Sequence, residues 1–259
     1  MSAVLAPAHA QLHTLSGRTV VVLHAHPDDE AIFTAATMHR LARRGARVVL
    51  VTATAGELGP VLRPLRRNET LPGRRRAELE RSADVLGVAR LVLLGHRDSG
   101  MAGWTDNAHP YALAAAPVDR VAGRLAALCE QEGAEALVHY DPRGIYGHPD
   151  HVAVHRIGAA AAARAGIPGY EATVAADRPR TRRSHLVDRA AGAAVGWDAG
   201  GITTVVTADG ADLRAKRRAM AAHGTQIPRD AVRRPGFAAA HGREWFRRAG
   251  GPGLLDMVL

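Results

Sequence analysis

Two short clusters of histidine and aspartate carry most of the chemistry that this sequence can do. Residues 26–29 read His-Pro-Asp-Asp, and residues 148–151 read His-Pro-Asp-His. Adjacent carboxylates repel each other, and a bound cation is the simplest way to keep both ionised. A catalytic zinc ion usually has three protein ligands and an open position for water. The two clusters together therefore predict one metal centre with acid–base groups around it.

The predicted ligands are His26, Asp29 and His151, which supply two nitrogens and one carboxylate oxygen. Zinc is the expected ion, one per chain, although two histidines and an aspartate also accept iron(II) and other divalent metals. Water on such an ion has its pKa lowered to near 7, so that hydroxide is available at neutral pH.

The residues beside these ligands are the predicted acid–base groups. Asp28 precedes a ligand, and we expect it to be the general base that removes a proton from the attacking water. His148 lies one helical turn before His151 and can face the same pocket, as a general acid or as a stabiliser of an oxyanion. Asp150 is predicted to orient His148, as carboxylates commonly do for a working imidazole.

The elements that must position both clusters alternate between strands and helices. Apolar runs predict strands over 18–24, 47–54, 91–94, 136–139 and 170–175, and helical patterns cover 30–44, 74–86, 118–131 and 151–165. This alternation predicts an α/β fold with a predominantly parallel, doubly wound sheet and helices on both faces. The clusters then follow the first and fourth strands, which a doubly wound order makes neighbours at its switch point.

The chain is predicted to form a single domain over residues 1–259, with a core of about 18–175. Residues 176–259 are expected to supply substrate-pocket loops and C-terminal elements. Within them, 176–201 show no clear element, 202–207 read as a late strand and 211–223 as a helix, and the remaining tail reads as loops.

The amino-acid composition argues against several classes of function. The net charge is +9, but nearly all the cations are arginine, so we interpret it as coding bias rather than a nucleic-acid surface. Aromatic residues make up only 4%, which argues against a base-stacking platform. The single cysteine, Cys129, excludes a Cys-rich zinc site and fits a reducing cytoplasm. No apolar run is long enough to cross a membrane, and no signal peptide is evident at the N-terminus.

The two clusters resemble the hallmark motifs of the GlcNAc-phosphatidylinositol de-N-acetylase family, also called PIG-L or LmbE-like. Those motifs, AHPDDE and HPDH, stand here at residues 25–30 and 148–151. Residues 97–101, 140–148 and 222–226 further resemble the actinobacterial branch that handles mycothiol and its precursors. The resemblance implies a Rossmann-like fold and a zinc-dependent deacetylase that removes the N-acetyl group from a glucosamine-type sugar, in the cytoplasm.

The resemblance also assigns residues outside the clusters. Tyr146 matches a tyrosine that helps to stabilise the tetrahedral intermediate, and Arg75 matches a pocket arginine, although Arg74 and Arg76 compete for that assignment. Asp98 and Glu57 lie in segments similar to conserved loops and are predicted substrate contacts. The expected partner is a small amino-sugar substrate, with no nucleic acid and no membrane, and a homo-oligomer is left open.

Two other functions remain open on the sequence. The same site could cleave a larger acyl group, as in a mycothiol S-conjugate amidase. The +9 charge also allows an anion- or nucleic-acid-binding protein with a structural metal, although a structural zinc needs four ligands.

Overall fold

Seven strands form one sheet at the centre of the fold, in a computed structural model that describes residues 14–176, 195–249 and 251–258. The strands are β1 Thr19–His24, β2 Arg47–Thr54, β3 Arg90–His96, β4 Ala136–Tyr140, β5 Gly169–Thr173, β6 Thr204–Thr207 and β7 Arg243–Ala249. Their order across the sheet is β3-β2-β1-β4-β5-β7-β6. The first five strands run parallel, and β7 runs antiparallel to both β5 and β6.

The α-helices contact one another in two groups. They are α1 Ala35–Arg43, α2 Leu71–Leu86, α3 Val118–Glu132, α4 Gly144–Gly147, α5 Pro149–Ala165, α6 Gly210–Ala222, α7 Arg229–Arg233 and α8 Phe237–His241. One group consists of α1, α2 and α6, with α7 packed on α6 and α8 on α7, and in the other α5 contacts both α3 and α4. In the part of the chain that the structure describes, no helix combines the length and apolarity needed to cross a bilayer.

The core lies around β1 and β2, whose valine and leucine side chains are almost completely buried. Burial on both faces is typical of central parallel strands. Because β1 pairs with β2 on one side and β4 on the other, the strand order reverses beside it. A ligand crevice is expected outside the carboxyl ends of the strands at such a point. The predicted α/β sheet, and the predicted neighbourhood of the first and fourth strands, are both confirmed.

The late strand and the helix predicted over 202–223 are confirmed as β6 and α6, but the prediction of loops after residue 223 is wrong for 243–249, because β7 forms there between β5 and β6. Its sequence, REWFRRA, contains four charged residues and hides the strand from a hydrophobicity pattern. One of those charges, Glu244, is buried against the ammonium of Lys216 and accepts hydrogen bonds from the amides of Ala36 and Thr37. The expectation for 176–201 falls largely on residues 177–194, which lie outside the described ones.

Candidate metal centre and active site

Two loops meet at the carboxyl end of the sheet and bring the histidine clusters together. The first loop, residues 25–29, leaves β1, and the second loop, residues 141–148, leaves β4 and leads into α5. A π-helical turn, Glu30–Thr34, separates the first loop from α1, where the sequence predicted one continuous helix. Such turns are rare and frequently mark functional sites.

Asp29 lies at distances from His26 and from His151 that suit two pairs of ligands to one tetrahedral metal. Asp29 Oδ2 is 3.4 Å from His26 Nδ1 and 3.4 Å from His151 Nε2. Two ligand atoms about 2.1 Å from a zinc ion, at a tetrahedral angle, are about 3.4 Å apart. All three side chains are buried. Each of these two carboxylate–imidazole distances is therefore compatible with a pair of ligands that share one cation.

The buried imidazole of His151 independently supports a metal ion as a partner at this place. Its imidazole is fully buried, and neither ring nitrogen has a hydrogen-bond partner among the described residues. The ring is stacked on Tyr140, with centroids 4.4 Å apart. Buried polar groups are nearly always satisfied. A metal ion bound at Nε2, the nitrogen near Asp29, would satisfy that atom. The residues present therefore fit the metal ion that the two motifs imply.

Two other donor sets share the same space. The nitrogens of His26, His148 and His151 lie within 4.8 Å of one another, as do ligand atoms of His26, Asp98 and Asp150. The second set is already engaged, because both carboxylates accept backbone or side-chain hydrogen bonds from residues 58, 99 and 100. His148 is therefore the alternative to Asp29 as the third ligand beside His26 and His151.

Asp150 orients His26 and not His148, which corrects the role predicted for it. Its Oδ2 lies 3.1 Å from His26 Nε2, whereas the other ring nitrogen, Nδ1, is the one near Asp29. The carboxylate also accepts hydrogen bonds from the amide and hydroxyl of Ser99. A histidine that binds metal usually donates its other N–H to a carboxylate in this way. The two residues are 124 positions apart, so only the fold reveals the pair.

His148 is oriented by the backbone instead. As the N-cap of α5 it accepts a hydrogen bond at Nδ1 from the amide of Asp150, over 3.1 Å. This leaves Nε2 as the N–H nitrogen of a neutral ring. Burial, together with the imidazoles of His26 and His151, lowers the pKa of His148 to about 2. Of the two predicted roles, this geometry favours donation of a hydrogen bond to an oxyanion.

Asp28 lies in the pocket beside the ligands, on strained backbone with φ of 114°. Burial raises the pKa of its carboxyl to about 6, although Arg75 acts against this. Arg75 Nη2 lies 3.4 Å from Asp28 Oδ1. A carboxylate whose pKa approaches neutrality is a more effective base than an exposed one.

Arg75 is the pocket arginine among the three adjacent candidates. It is 3% exposed and lines the pocket, whereas Arg74 pairs with Glu69 and Arg76 with Glu80. Its terminal nitrogens donate to two backbone carbonyls, those of residues 27 and 56. It therefore ties the first loop to the loop after β2, in addition to facing the pocket.

The two remaining predicted substrate contacts have different positions. Asp98 is buried, lines the pocket and accepts hydrogen bonds from the amides of Leu58 and Gly100. Glu57 instead lines a neighbouring cavity and accepts a hydrogen bond from the amide of Asp98. Glu57 therefore contacts the backbone of the Asp98 loop, and substrate contact by Glu57 stays a prediction.

Tyr146 lines the pocket and packs edge-on against His151, with ring centroids 4.8 Å apart. Its neighbour Ile145 has φ of 64°, which is unusual for a β-branched residue. The Asp141 carboxylate holds this strained turn by accepting the amide hydrogens of Arg143 and Ile145. Such strain is commonly found at active sites.

The pocket has a volume of about 290 Å³ and includes residues that the sequence did not single out. Trp104 lines it and is 48% exposed, and Ile32, Met101 and Ile227 add apolar walls. Gln226 lies in the predicted 222–226 segment, so a signal for it existed. Trp104 had no such signal, since a lone tryptophan in a loop has no motif.

Residues 21–162 match the family PIG-L, GlcNAc-PI de-N-acetylase. This stretch includes both loops and all the predicted ligands. The chain belongs to this family, and the family membership predicted from the two motifs is confirmed.

Curated relatives agree with this assignment, and a solved structure shares the fold. The chain is 42% identical over 169 residues to the 1D-myo-inositol 2-acetamido-2-deoxy-alpha-D-glucopyranoside deacetylase of Thermobifida fusca, covering 61% of this chain and 59% of that relative's length. It is 35% identical over 263 residues to the deacetylase of the same name from Thermobispora bispora, covering 88% and 84%. N,N'-diacetylchitobiose deacetylase from Pyrococcus horikoshii has a similar fold, with a TM-score of 0.58 at 21% identity over 90% of this chain and 84% of that one.

Proposed function

We propose that this protein is a zinc-dependent hydrolase that removes the N-acetyl group from an N-acetylglucosaminyl glycoside and releases acetate. The observation that carries the proposal is the position of the Asp29 carboxylate, 3.4 Å from a ring nitrogen of His26 and of His151. The His151 nitrogens are buried without a hydrogen-bond partner among the described residues, and Asp28 lies in the same pocket. The names of the relatives support an inositol glycoside as the first substrate to test.

His26, Asp29 and His151 would hold the metal, while Asp150 fixes the ring of His26. When bound, a divalent ion polarises a carbonyl oxygen and lowers the pKa of water to near 7. Asp28 accepts the proton of the attacking water, since its carboxylate lies in the pocket without being a proposed ligand.

The oxygen of the acetyl carbonyl gains negative charge as water attacks. The Nε2–H of His148 and the hydroxyl of Tyr146 are the pocket groups that we assign to this charge. A positioned donor of this kind contributes about 10²–10³ to kcat. The amine leaves with the proton that Asp28 collected, so proton transfer begins and ends on one carboxylate.

Substrate binding is assigned to the pocket wall. Arg75 and Asp98 offer charge and hydrogen bonds to sugar hydroxyls, and Trp104 offers an exposed ring on which a sugar can stack. Gly100 permits this arrangement, because a Cβ there would lie 2.4 Å from the Trp104 ring.

The test is acetate release from a panel of substrates by zinc-loaded, chelator-stripped and reloaded protein. The panel contains the inositol glycoside of N-acetylglucosamine, N,N'-diacetylchitobiose and a cysteinyl amide of glucosaminyl-inositol. We expect turnover of the inositol glycoside that is lost on stripping and returns with zinc. Equal turnover by stripped protein would refute the metal requirement, and cleavage of the cysteinyl amide alone would replace the deacetylase by an amidase.

A further inference from the structure

Glu30, the last residue of the first cluster, connects the first loop to distant parts of the chain. It is fully buried, and its Oε2 accepts a hydrogen bond of 2.9 Å from the amide of Asp28. Its Oε1 accepts hydrogen bonds from the hydroxyl of Ser82 on α2 and from Nε2 of His223, which is 2.6 Å away. A buried carboxylate needs such donors to remain ionised.

The contact with Asp28 bears on a strained residue. Asp28 has φ of 114°, a conformation that is strained for a residue other than glycine. Strain of this kind persists only where the surroundings hold it in place. The Glu30 carboxylate does so by fixing the Asp28 amide, and the Asp28 carbonyl accepts the amides of Ala31 and Ile32.

His223 follows α6 directly and is completely buried. Its bond to Glu30 is the only hydrogen bond of the ring among the described residues, since Nδ1 has no partner. The next residues are fixed separately, because the amide and hydroxyl of Thr225 both donate to Glu78. The imidazole therefore makes one hydrogen bond, to Glu30, and the same carboxylate binds the amide of Asp28.

We propose that His223 is a positioning residue for the general base. By holding the Glu30 carboxylate, it keeps the Asp28 backbone in its strained conformation and the Asp28 carboxylate aimed into the pocket. The proposal rests on the proposed function, because it takes Asp28 as the base of that reaction.

The experiment compares His223→Leu, His223→Gln and Thr225→Val with the wild type, measuring zinc per chain, melting temperature, kcat and KM on the inositol glycoside. Glutamine can still donate to Glu30, and Thr225→Val disturbs the same buried segment through Glu78 instead. We expect His223→Leu to bind zinc and substrate but to lose about 10²-fold in kcat, as a small misplacement of a catalytic group does. His223→Gln should recover most of that loss, and Thr225→Val should keep the wild-type kcat.

Wild-type kcat in His223→Leu would overturn the proposal. So would an equal loss in His223→Gln or Thr225→Val, because the effect would then be general destabilisation. If the wild type turns over no substrate, the proposed function fails, and crystal structures then decide on positioning. Asp28 should keep its positive φ in the wild type and in His223→Gln and lose it in His223→Leu; retention in His223→Leu would refute the role.

Discussion

The two loops that form the site are held in opposite ways. The first loop carries carboxylates and is fixed by polar contacts from distant elements, such as Glu30 with Asp28 and Arg75 with the backbone. The second loop leads to His151, which is fixed by the rings of Tyr140 and Tyr146 and keeps both nitrogens bare. A carboxylate needs donors to stay ionised when buried, whereas an imidazole ligand must be held without occupying its nitrogen.

The largest effect is expected in the first loop. Replacing Asp28 by Asn should lower kcat by about 10²–10⁴-fold, because the amide cannot accept the proton of the attacking water. Zinc per chain should remain that of the wild type. Acetate release by zinc-loaded protein measures the effect, and Asp84→Asn, which removes an exposed carboxylate on α2, is the control. Full activity in zinc-loaded Asp28→Asn would refute the base assignment.

The second-largest effect is expected where the two clusters meet, at the contact between Asp150 and His26. Asp150→Asn should weaken zinc binding by about 10–100-fold, because the charged partner of His26 Nε2 is lost. Competition with a chelator of known affinity measures this. Ser99→Ala removes one donor to Asp150 but keeps its charge, so its effect should be smaller. Unchanged zinc affinity in Asp150→Asn would mean that His26 does not depend on this carboxylate.

The ring packing on His151 can be separated from the hydrogen bonds of the Tyr140 hydroxyl. Tyr140→Leu removes the ring stacked on His151, whereas Tyr140→Phe removes only the hydroxyl that bonds to His24. An aromatic pair contributes about 0.5–1.5 kcal/mol, so Leu should weaken zinc binding by up to about tenfold. Phe should bind zinc nearly as well as the wild type. Equal losses would show that the hydroxyl, and not the ring, positions His151.

The last effect is on folding stability and not on the site itself, and it concerns the anchor of α6, the helix that leads to His223. Burial alone would raise the pKa of Asp212, but His39 and Arg40 on α1 lower it from 3.8 to about 2. At 1.36 kcal/mol per pKa unit, this carboxylate contributes about 2 kcal/mol at neutral pH.

Since the folded-state pKa of Asp212 is depressed, its contribution is complete above about pH 4 and is lost as the pH falls towards 2. Asp212→Asn should therefore be less stable at pH 7 and show a flatter decline between pH 4 and 2. Urea unfolding across this range measures the difference. Parallel profiles for the two proteins would contradict the assignment.

Much of the fold could be predicted because its signals are local. The continuous apolar run of β2 marks a buried strand, and the structure begins and ends it at the predicted residues 47 and 54. The strand β7 could not be predicted in this way. Its buried Glu244 is tolerated only because Lys216 and the start of α1 neutralise it, and no local pattern contains those partners.

By itself, the sequence determined the family, the alternating elements and which residue types reach the site. It did so because motif spacing, hydrophobic period and side-chain chemistry are properties of short stretches. Only the tertiary structure decided which carboxylate serves which imidazole. Asp150 lies beside His148 in sequence but bonds to His26, and Glu30 depends on His223 from the other end of the chain. Such pairings depend on distances across the sheet, which the order of residues does not contain.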